Sequence, residues 1–372
     1  MNRNFPFLAG AILLLAMHLP AAARWQMQYL YDQDKSSLVI NDLCFPSARR
    51  GVAVGYISTG REGKPKGTVL VTSDAGAHWS LEPVQEVGTS LFFLNDSEGW
   101  MVTPRGLLHT VESGRSWKKA NLPSHILRVY FQNSNLGWAV GAEKSIYETQ
   151  DGGKKWTKVP AADEPSTSPK HTVYACVAFV DRMFGIISGW SQTPRRAYEQ
   201  DLPPWLDPEK AAHRPEWPSV SISLETHDGG KTWKSSTASV FGRVTRIRLS
   251  PRGTGMALVE FSDAFQYPSE VYAMNLATGK NTRSFREKNM AVTDIALPAS
   301  GPAYLAAIEV PGELRNLPIP GKLKIMATLD FKTWSSMPVD YRAVGGRAIL
   351  SAPDPQNIWV ALDSGMILRL ER

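Results

Sequence analysis

Short apolar runs, each followed by a polar turn and a second apolar run, recur along the chain. In residues 91–102, LFFL precedes the polar NDSE and GWMV follows it. Apolar runs of roughly four to eight residues between turn residues are typical of buried β-strands. Related units occupy seven places, namely 43–55, 91–102, 129–141, 177–189, 247–259, 295–308 and 348–362. This spacing predicts an all-β repeat protein.

A second pattern, T-x-[DE]-x-G-x-x-W, follows four of these units. A hydroxyl and a carboxylate bind the amides that a tight turn leaves unpaired, and glycine adopts the positive φ that the turn needs. We assign these Asp boxes, or BNR repeats, a structural role, although carboxylates beside tryptophan also suit sugar binding. The four complete copies are Thr72, Asp74, Gly76, Trp79; Thr110, Glu112, Gly114, Trp117; Thr149, Asp151, Gly153, Trp156; and Thr226, Asp228, Gly230, Trp233. A fifth copy, Thr328, Asp330 and Trp334, has lost one residue and the glycine.

Each unit contains four potential strands, A to D, with the Asp box between C and D, which is typical of a propeller blade. The last unit ends after its third strand, at residues 366–370, while Trp25 occupies the place of the turn tryptophan before the run 26–31. We therefore predict a seven-bladed β-propeller over residues 24–372 as a single domain, closed by the N-terminal strand. An insertion at 190–219 lies in blade 4.

The first residues have the order of a secretory signal peptide. Arg3 precedes an apolar run at 5–19 and the small residues 21–23. This run is shorter than the ~20 residues of a bilayer span, so an uncleaved anchor is the weaker alternative. We predict a signal peptide over 1–23, cleavage near Ala23 and a secreted, monomeric protein without a membrane span. It would lie in the periplasm or an equivalent extracytoplasmic lumen.

The net charge of +6 is spread along the chain, which disfavours a nucleic-acid partner. Cys44 and Cys176, the only cysteines, fall in strands of blades placed far apart, so we expect two buried thiols and no disulfide. The histidines have no metal-ligand spacing, and there is no glycine-rich phosphate-binding loop. The sequence predicts no cofactor and no metal.

The two faces of the predicted ring differ in loop length. The A–B and C–D turns lie on one side, the Asp-box face, and the B–C and D–A loops lie on the other, the long-loop face. Long B–C loops occur at 57–67, 261–270, 309–321 and in the insertion. Loops longer than closure requires tend to be functional. The insertion is rich in proline and contains Trp205, which suits docking, whereas a solvated excursion is the alternative.

Aligned A strands have one apolar side, and the residue before the apolar position is arginine in three units, at Arg128, Arg246 and Arg347. Arg248 lies two residues beyond Arg246 and points the same way in a strand. Guanidinium groups bind carboxylate or phosphate in a bidentate manner, so we expect these arginines to hold an acidic peptide or another anionic partner. The alternative is intramolecular pairing with Asp42 and Asp294 at the same level.

Residues 137–141 (GWAVG), Ile146, Thr149 and the turn 151–153 (DGG) give the chain a resemblance to a known family. The sequence resembles the photosystem II stability/assembly-factor-like family, whose members are extracytoplasmic seven-bladed propellers. The likeness is densest over 88–158 and decays over the rest of the chain. It implies a non-catalytic scaffold that binds a protein partner, such as a membrane-protein subunit, from the lumenal or periplasmic side.

Asp boxes also occur in sialidases and xyloglucan-degrading hydrolases, which makes a secreted glycoside hydrolase the alternative function. The early [FY]-R-I-P segment of sialidases is absent from this sequence, and xyloglucanases resemble two propellers in tandem. Hydrolysis would require a pair of carboxylates among those of the long-loop face, which are Glu199, Asp201, Asp207, Asp263 and Glu313. Nothing in their spacing indicates such a pair, so we predict a protein that is not an enzyme.

Overall fold

The computed structural model describes residues 23–60, 63–123, 125–192, 218–262, 265–309, 320–340 and 342–371. In these ranges the chain forms 29 β-strands and two short 3-10 helices, at Pro160–Ala162 and Pro169–His171. The strands form seven antiparallel sheets that follow one another along the chain. The prediction of an all-β, seven-bladed propeller is confirmed.

Six blades are continuous in sequence, and their strands run in the order A to D. Blade 1 has β2 (Ser36–Cys44), β3 (Gly51–Thr59), β4 (Lys66–Thr72) and β5 (Ser80–Pro83). Blade 2 has β6 (Ser90–Phe93), β7 (Gly99–Thr103), β8 (Gly106–Thr110) and β9 (Lys118–Ala120). Blade 3 has β10 (Ile126–Phe131), β11 (Gly137–Gly141), β12 (Ile146–Thr149) and β13 (Thr157–Lys158).

The second half of the ring repeats this order. Blade 4 has β14 (Thr172–Phe179), β15 (Gly185–Ser191), β16 (Ser219–Thr226) and β17 (Lys234–Val240). Blade 5 has β18 (Arg243–Ser250), β19 (Thr254–Glu260), β20 (Ser269–Asn275) and β21 (Asn281–Arg286). Blade 6 has β22 (Met290–Ala296), β23 (Ala303–Glu309), β24 (Gly321–Thr328) and β25 (Ser335–Met337), and β26 (Val344–Gly345) also pairs with β24.

Blade 7 joins the two ends of the described chain. Its strands are β27 (Ala348–Ser351), β28 (Trp359–Leu362), β29 (Met366–Glu371) and β1 (Arg24–Leu30). β1 pairs antiparallel with β29, from Arg24 opposite Glu371 to Leu30 opposite Met366. Trp25 is buried in the cluster that blades 6 and 7 share. The predicted closure of the ring by the N-terminal strand is therefore observed.

The core lies between adjacent blades. Between blades 2 and 3, blades 3 and 4, and blades 7 and 1, the tryptophan at the start of the B strand stacks on a phenylalanine at the end of the next A strand or directly after it. Trp100 and Phe131 have ring centroids 3.7 Å apart and nearly parallel planes. Phe131 in turn meets the Asp-box Trp156 edge-on at 6.0 Å. A Cβ on Gly137, which begins the B strand, would overlap the Phe131 ring, which explains the glycine before the repeated tryptophan.

The Asp boxes are hydrogen-bonded turns. In blade 3 the Thr149 hydroxyl accepts the Gly153 N–H at 2.8 Å and donates to the Asp151 carboxylate at 3.0 Å. That carboxylate accepts the Lys155 N–H at 2.9 Å. The same bonds recur around Asp74 and Asp228. In the fifth copy Phe331 takes the glycine's place with a φ of 59°.

Each complete Asp box also binds the A–B turn of its own blade. The Gly152 N–H donates to the Asn135 carbonyl at 2.9 Å, and equivalent bonds join Ala75 to Arg49, Ser113 to Ser97 and Gly229 to Met183. The two kinds of turn therefore lie on one face, as the strand order requires. The B–C and D–A loops lie on the other.

Several sequence predictions fall outside the described residues. They include all but the last residue of the predicted signal peptide, the body of the blade 4 insertion with Trp205, and the five long-loop carboxylates Glu199, Asp201, Asp207, Asp263 and Glu313. Within the described ranges, no helix combines the length and apolar character that a bilayer span needs.

Candidate functional site

The inner strands surround a central cavity of about 370 Å³ that is lined by residues of all seven blades. In the seven aligned A strands, the residue before the apolar position is Asp42, Ser90, Arg128, Cys176, Arg246, Asp294 or Arg347. Six of them line the cavity, namely Asp42, Ser90, Arg128, Cys176, Arg246 and Asp294, and Arg248 joins them. Arg347 does not line it. The cavity therefore brings together three of the four arginines that the sequence singled out.

β-Bulges determine which side chains reach the cavity. The pairing of A and B strands shifts by one residue directly before Asp42, Arg128, Cys176, Arg246 and Asp294. An extra residue in one strand bends it locally and redirects the side chain that follows. These five polar residues are thus placed by a backbone irregularity that recurs in five blades.

Blade 7 has no such bulge, and its alignment differs from the one that the sequence suggested. Trp359 stacks on Phe45 at 3.6 Å, as Trp100 stacks on Phe131, so Trp359 is the equivalent of Trp100. Its neighbour Val360 pairs with Leu350. Leu350, rather than Ala348, therefore corresponds to Leu91, and Arg347 lies too early to face the axis. It is exposed just before β27, on the long-loop face.

Two aspartates, the half-buried Asp42 and the buried Asp294, link neighbouring inner strands. The Asp42 carboxylate accepts the N–H of Leu43 at 3.0 Å and that of Leu91, in blade 2, at 2.8 Å. Asp294 accepts the N–H groups of Ile295 and of Leu350, in blade 7, each at 2.9 Å. Both oxygens of each carboxylate are used, so these side chains hold adjacent blades together.

Sequence reasoning missed this role and treated the aspartates only as partners for arginine. A signal was present, because both lie in a polar–Asp–apolar triplet, residues 41–43 and 293–295. The first residue of each triplet also reaches the next blade. Asn41 donates to the Gly88 carbonyl at 2.8 Å, and the Thr293 hydroxyl donates to the Ala348 carbonyl at 2.9 Å.

The three cavity arginines share these two carboxylates. Arg246 Nε and Arg248 Nη2 lie 3.5 and 3.4 Å from Asp294 Oδ1. Arg128 Nη1 lies 3.9 Å from Asp42 Oδ2 and donates to the Ser90 hydroxyl at 3.3 Å. The intramolecular pairing considered above is therefore present. Three guanidinium groups against two carboxylates leave one positive charge in excess.

The guanidinium groups repel one another. The pKa of Arg128 falls to about 10, because the charge of Arg246 opposes its own and burial penalises the charged form. Burial opposes the charge of Arg246 more than any other single effect, but the surrounding negative groups, first Asp294, together outweigh it. The pKa of Arg246 therefore lies above its ordinary value. The side chains of Arg128 and Arg248 are 28% and 40% exposed, so an anion from solvent can reach them.

Both cysteines line the same cavity and are free, although blades 1 and 4 supply them. Cys176 is buried and Cys44 is half-buried. Burial raises the pKa of the Cys44 thiol to about 12, with the Asp42 charge adding to the effect, and burial also raises the pKa of Cys176. Both thiols are unpaired, as expected, but of the two predicted to be buried only Cys176 is. Within the described residues, no group of three or more His, Cys, Asp or Glu side chains is arranged to hold a metal ion.

The sheet order and the axial cavity define a seven-bladed β-propeller with a basic centre. No family model matches the chain. Over 128 residues it is 30% identical to the photosystem II assembly lipoprotein Ycf48 of Synechococcus sp. (strain CC9902). That alignment covers 31% of this chain and 35% of the relative, so the match spans about a third of the relative's length. This comparison therefore confirms that part of the sequence is similar to a photosystem II assembly protein.

Solved structures share the architecture. Ycf48 bound to a D1 peptide superposes with a TM-score of 0.57 at 15% identity, covering 92% of this chain and 99% of that one. The GH74 xyloglucanase of Xanthomonas campestris superposes with a TM-score of 0.54 at 12% identity, covering 93% of this chain and 53% of that one. At these identities both comparisons show the fold.

Proposed function

We propose that the protein is an extracytoplasmic, non-catalytic binding protein that holds an acidic segment of a protein partner during assembly. Arg128, Arg246 and Arg248 are the anion-binding residues. The observation that carries the proposal is the excess positive charge in the central cavity, where three guanidinium groups face two carboxylates that backbone N–H groups already occupy. A carboxylate from a partner relieves the repulsion between Arg128 and Arg246.

The comparisons support a peptide as the class of partner. One relative is a photosystem II assembly protein, and a solved structure of similar fold holds a D1 peptide. A peptide of a membrane-protein subunit is thus the partner that we propose. Secretion through the predicted signal peptide accords with that assignment. Arg347, exposed at the rim of the long-loop face, and Trp205 in the insertion remain proposed contacts outside the cavity.

Hydrolysis is less well supported than binding, although the fold is shared with a xyloglucanase. Glycosidases need one carboxyl group that donates a proton and a second that attacks or activates water. Asp42 and Asp294 each accept two backbone N–H bonds and lie beside arginine, which suits neither task.

Fluorescence anisotropy with a labelled peptide tests the proposal. A peptide with three consecutive glutamates should bind the purified protein, and a lysine analogue should not. Arg128→Gln with Arg248→Gln should weaken binding by about tenfold or more, since a hydrogen bond to a charged group contributes about 1.5–3 kcal/mol. These two arginines are partly exposed and make long contacts of 3.4–3.9 Å with the aspartates, so we expect the fold to persist.

Arg115→Gln is the matched control, because Arg115 is an exposed arginine of the Asp-box face. It should bind the glutamate peptide as the parent does. Equal affinity of the parent and the double variant would show that the cavity arginines are not the binding residues.

A further inference from the structure

Four aromatic side chains form a patch on the long-loop face of blade 5. Phe241 lies in the connection before β18, and Phe261, Phe265 and Tyr267 lie at or beyond the end of β19. The Phe265 ring centroid is 4.3 Å from that of Phe261 and 6.3 Å from that of Phe241. Phe241 is 53% exposed. Clustered apolar side chains at a surface often mark interaction sites. We call these four residues the aromatic patch.

The border of the aromatic patch carries more positive than negative charge. The Arg286 guanidinium lies 4.2 Å from the Tyr267 ring centroid and donates to Glu270 at 2.9 Å. Arg283 lies 3.7 Å from the same Glu270 oxygen, and its side chain is 48% exposed. One buried carboxylate thus faces two guanidinium groups. This charge favours an occupant that is itself acidic.

A single strand connects the patch with the cavity. β18 begins at Arg243, next to the patch, and continues to Arg246 and Arg248, which line the cavity. Phe241 precedes Arg246 by five positions. At about 3.3 Å per residue, this corresponds to at most about 16 Å, because Phe241 and Gly242 lie in a bend before the strand begins. An extended peptide covers the same distance with about five residues.

We propose that the aromatic patch is a second subsite of the peptide-binding surface. It takes an apolar or aromatic side chain of the bound segment, about five residues from the carboxylates that the cavity arginines hold. This inference rests on the proposed function and specifies its partner. Buried aromatic anchors contribute a large share of the affinity at interfaces, whereas exposed charge pairs contribute mostly to recognition and association rate.

Three labelled peptides of equal charge test the subsite by anisotropy on the purified protein. The first has three glutamates and a phenylalanine five residues away, the second has serine in place of phenylalanine, and the third has phenylalanine next to the glutamates. The first peptide should bind about tenfold more tightly than the other two. Phe241→Ser should remove this preference without changing the affinity for the serine peptide, and Phe241→Trp should keep it.

Leu329→Ser is the matched control, because Leu329 is 79% exposed and lies in the fifth Asp-box turn, on the opposite face. It should leave the preference intact. Equal affinities of the three peptides would overturn the subsite, and so would a preference that survives Phe241→Ser. Either result would leave arginine-dependent peptide binding, and with it the proposed function, intact. Failure of all three peptides to bind would overturn the proposed function as well. Phe241-dependent binding to anionic phospholipid vesicles, without a peptide preference, would assign the patch to a membrane surface and overturn the subsite.

Discussion

At the scale of single residues, the Asp-box carboxylates accept hydrogen bonds from backbone and hydroxyl groups of their own turns. Asp228 accepts the Thr232 hydroxyl at 2.6 Å, the Thr232 N–H at 2.9 Å and the Thr226 hydroxyl at 2.8 Å. These donors favour the ionised form, first the Thr232 side chain, and lower the pKa of Asp228 to about 2. The same effect lowers the pKa of Asp74 and Asp330 to about 2.

Asp228→Asn should change how stability depends on pH. The folded pKa lies below the ordinary value of 3.8, so the carboxylate contributes its full stabilisation above about pH 4 and loses it as pH falls toward 2. The variant should therefore have a lower free energy of unfolding than the parent at pH 6, and this difference should be smaller at pH 2.5. Urea unfolding at the two pH values measures this gap. Asp96→Asn, at an exposed carboxylate of an A–B turn, is the matched control, and a gap for Asp228→Asn that is independent of pH would refute the assignment.

At the scale of elements, closure of the ring depends on β1. This strand completes blade 7 through its pairing with β29, although its residues lie at the opposite end of the chain. Trp25 attaches it to the shared core of blades 6 and 7, whereas Met27 on the same strand is 40% exposed. The indole therefore carries much of the apolar burial that holds the closing strand.

Trp25→Ala should lower the free energy of unfolding by about 3–5 kcal/mol, the usual cost of truncating a buried tryptophan. Met27→Ala should cost much less, because that side chain is largely in solvent. Denaturant unfolding followed by tryptophan fluorescence and by circular dichroism measures both variants. Similar losses for the two would mean that packing of Trp25 does not secure the closing strand.

At the scale of the whole molecule, the ring brings together side chains that lie far apart in the sequence. The cavity holds two free thiols from blades 1 and 4. Their raised pKa keeps them protonated near neutral pH, and the thiolate is the reactive form. Cys44 is half-buried and Cys176 is buried, so the reaction of Cys176 reports opening of the ring.

Labelling with a thiol reagent at pH 8 should be slow in the native protein and complete in denaturant. Trp25→Ala should accelerate it, since a weaker closing strand opens the ring more often. The rate should also rise with pH as the thiolate fraction grows. Immediate labelling of both cysteines in the native parent would show that the cavity does not protect them.

The sequence by itself determined the architecture. The spacing of apolar runs and Asp boxes predicted seven blades, and Trp25 before an apolar run predicted the closing strand. These features are local, because a hairpin turn and a buried alternation are specified within about ten residues. The resemblance to an assembly-factor family was likewise carried by a short stretch of repeats.

Only the tertiary structure decided the composition of the candidate site. The alignment of A strands placed six residues at the cavity, but it put Arg347 in the wrong register, because in blade 7 Leu350 and not Ala348 takes the position of Leu91. The links that Asp42 and Asp294 make to the next blade join residues 49 and 56 positions apart. The aromatic patch likewise joins two separate loops. Such contacts depend on how whole blades pack around the axis, which the local pattern of one blade does not specify.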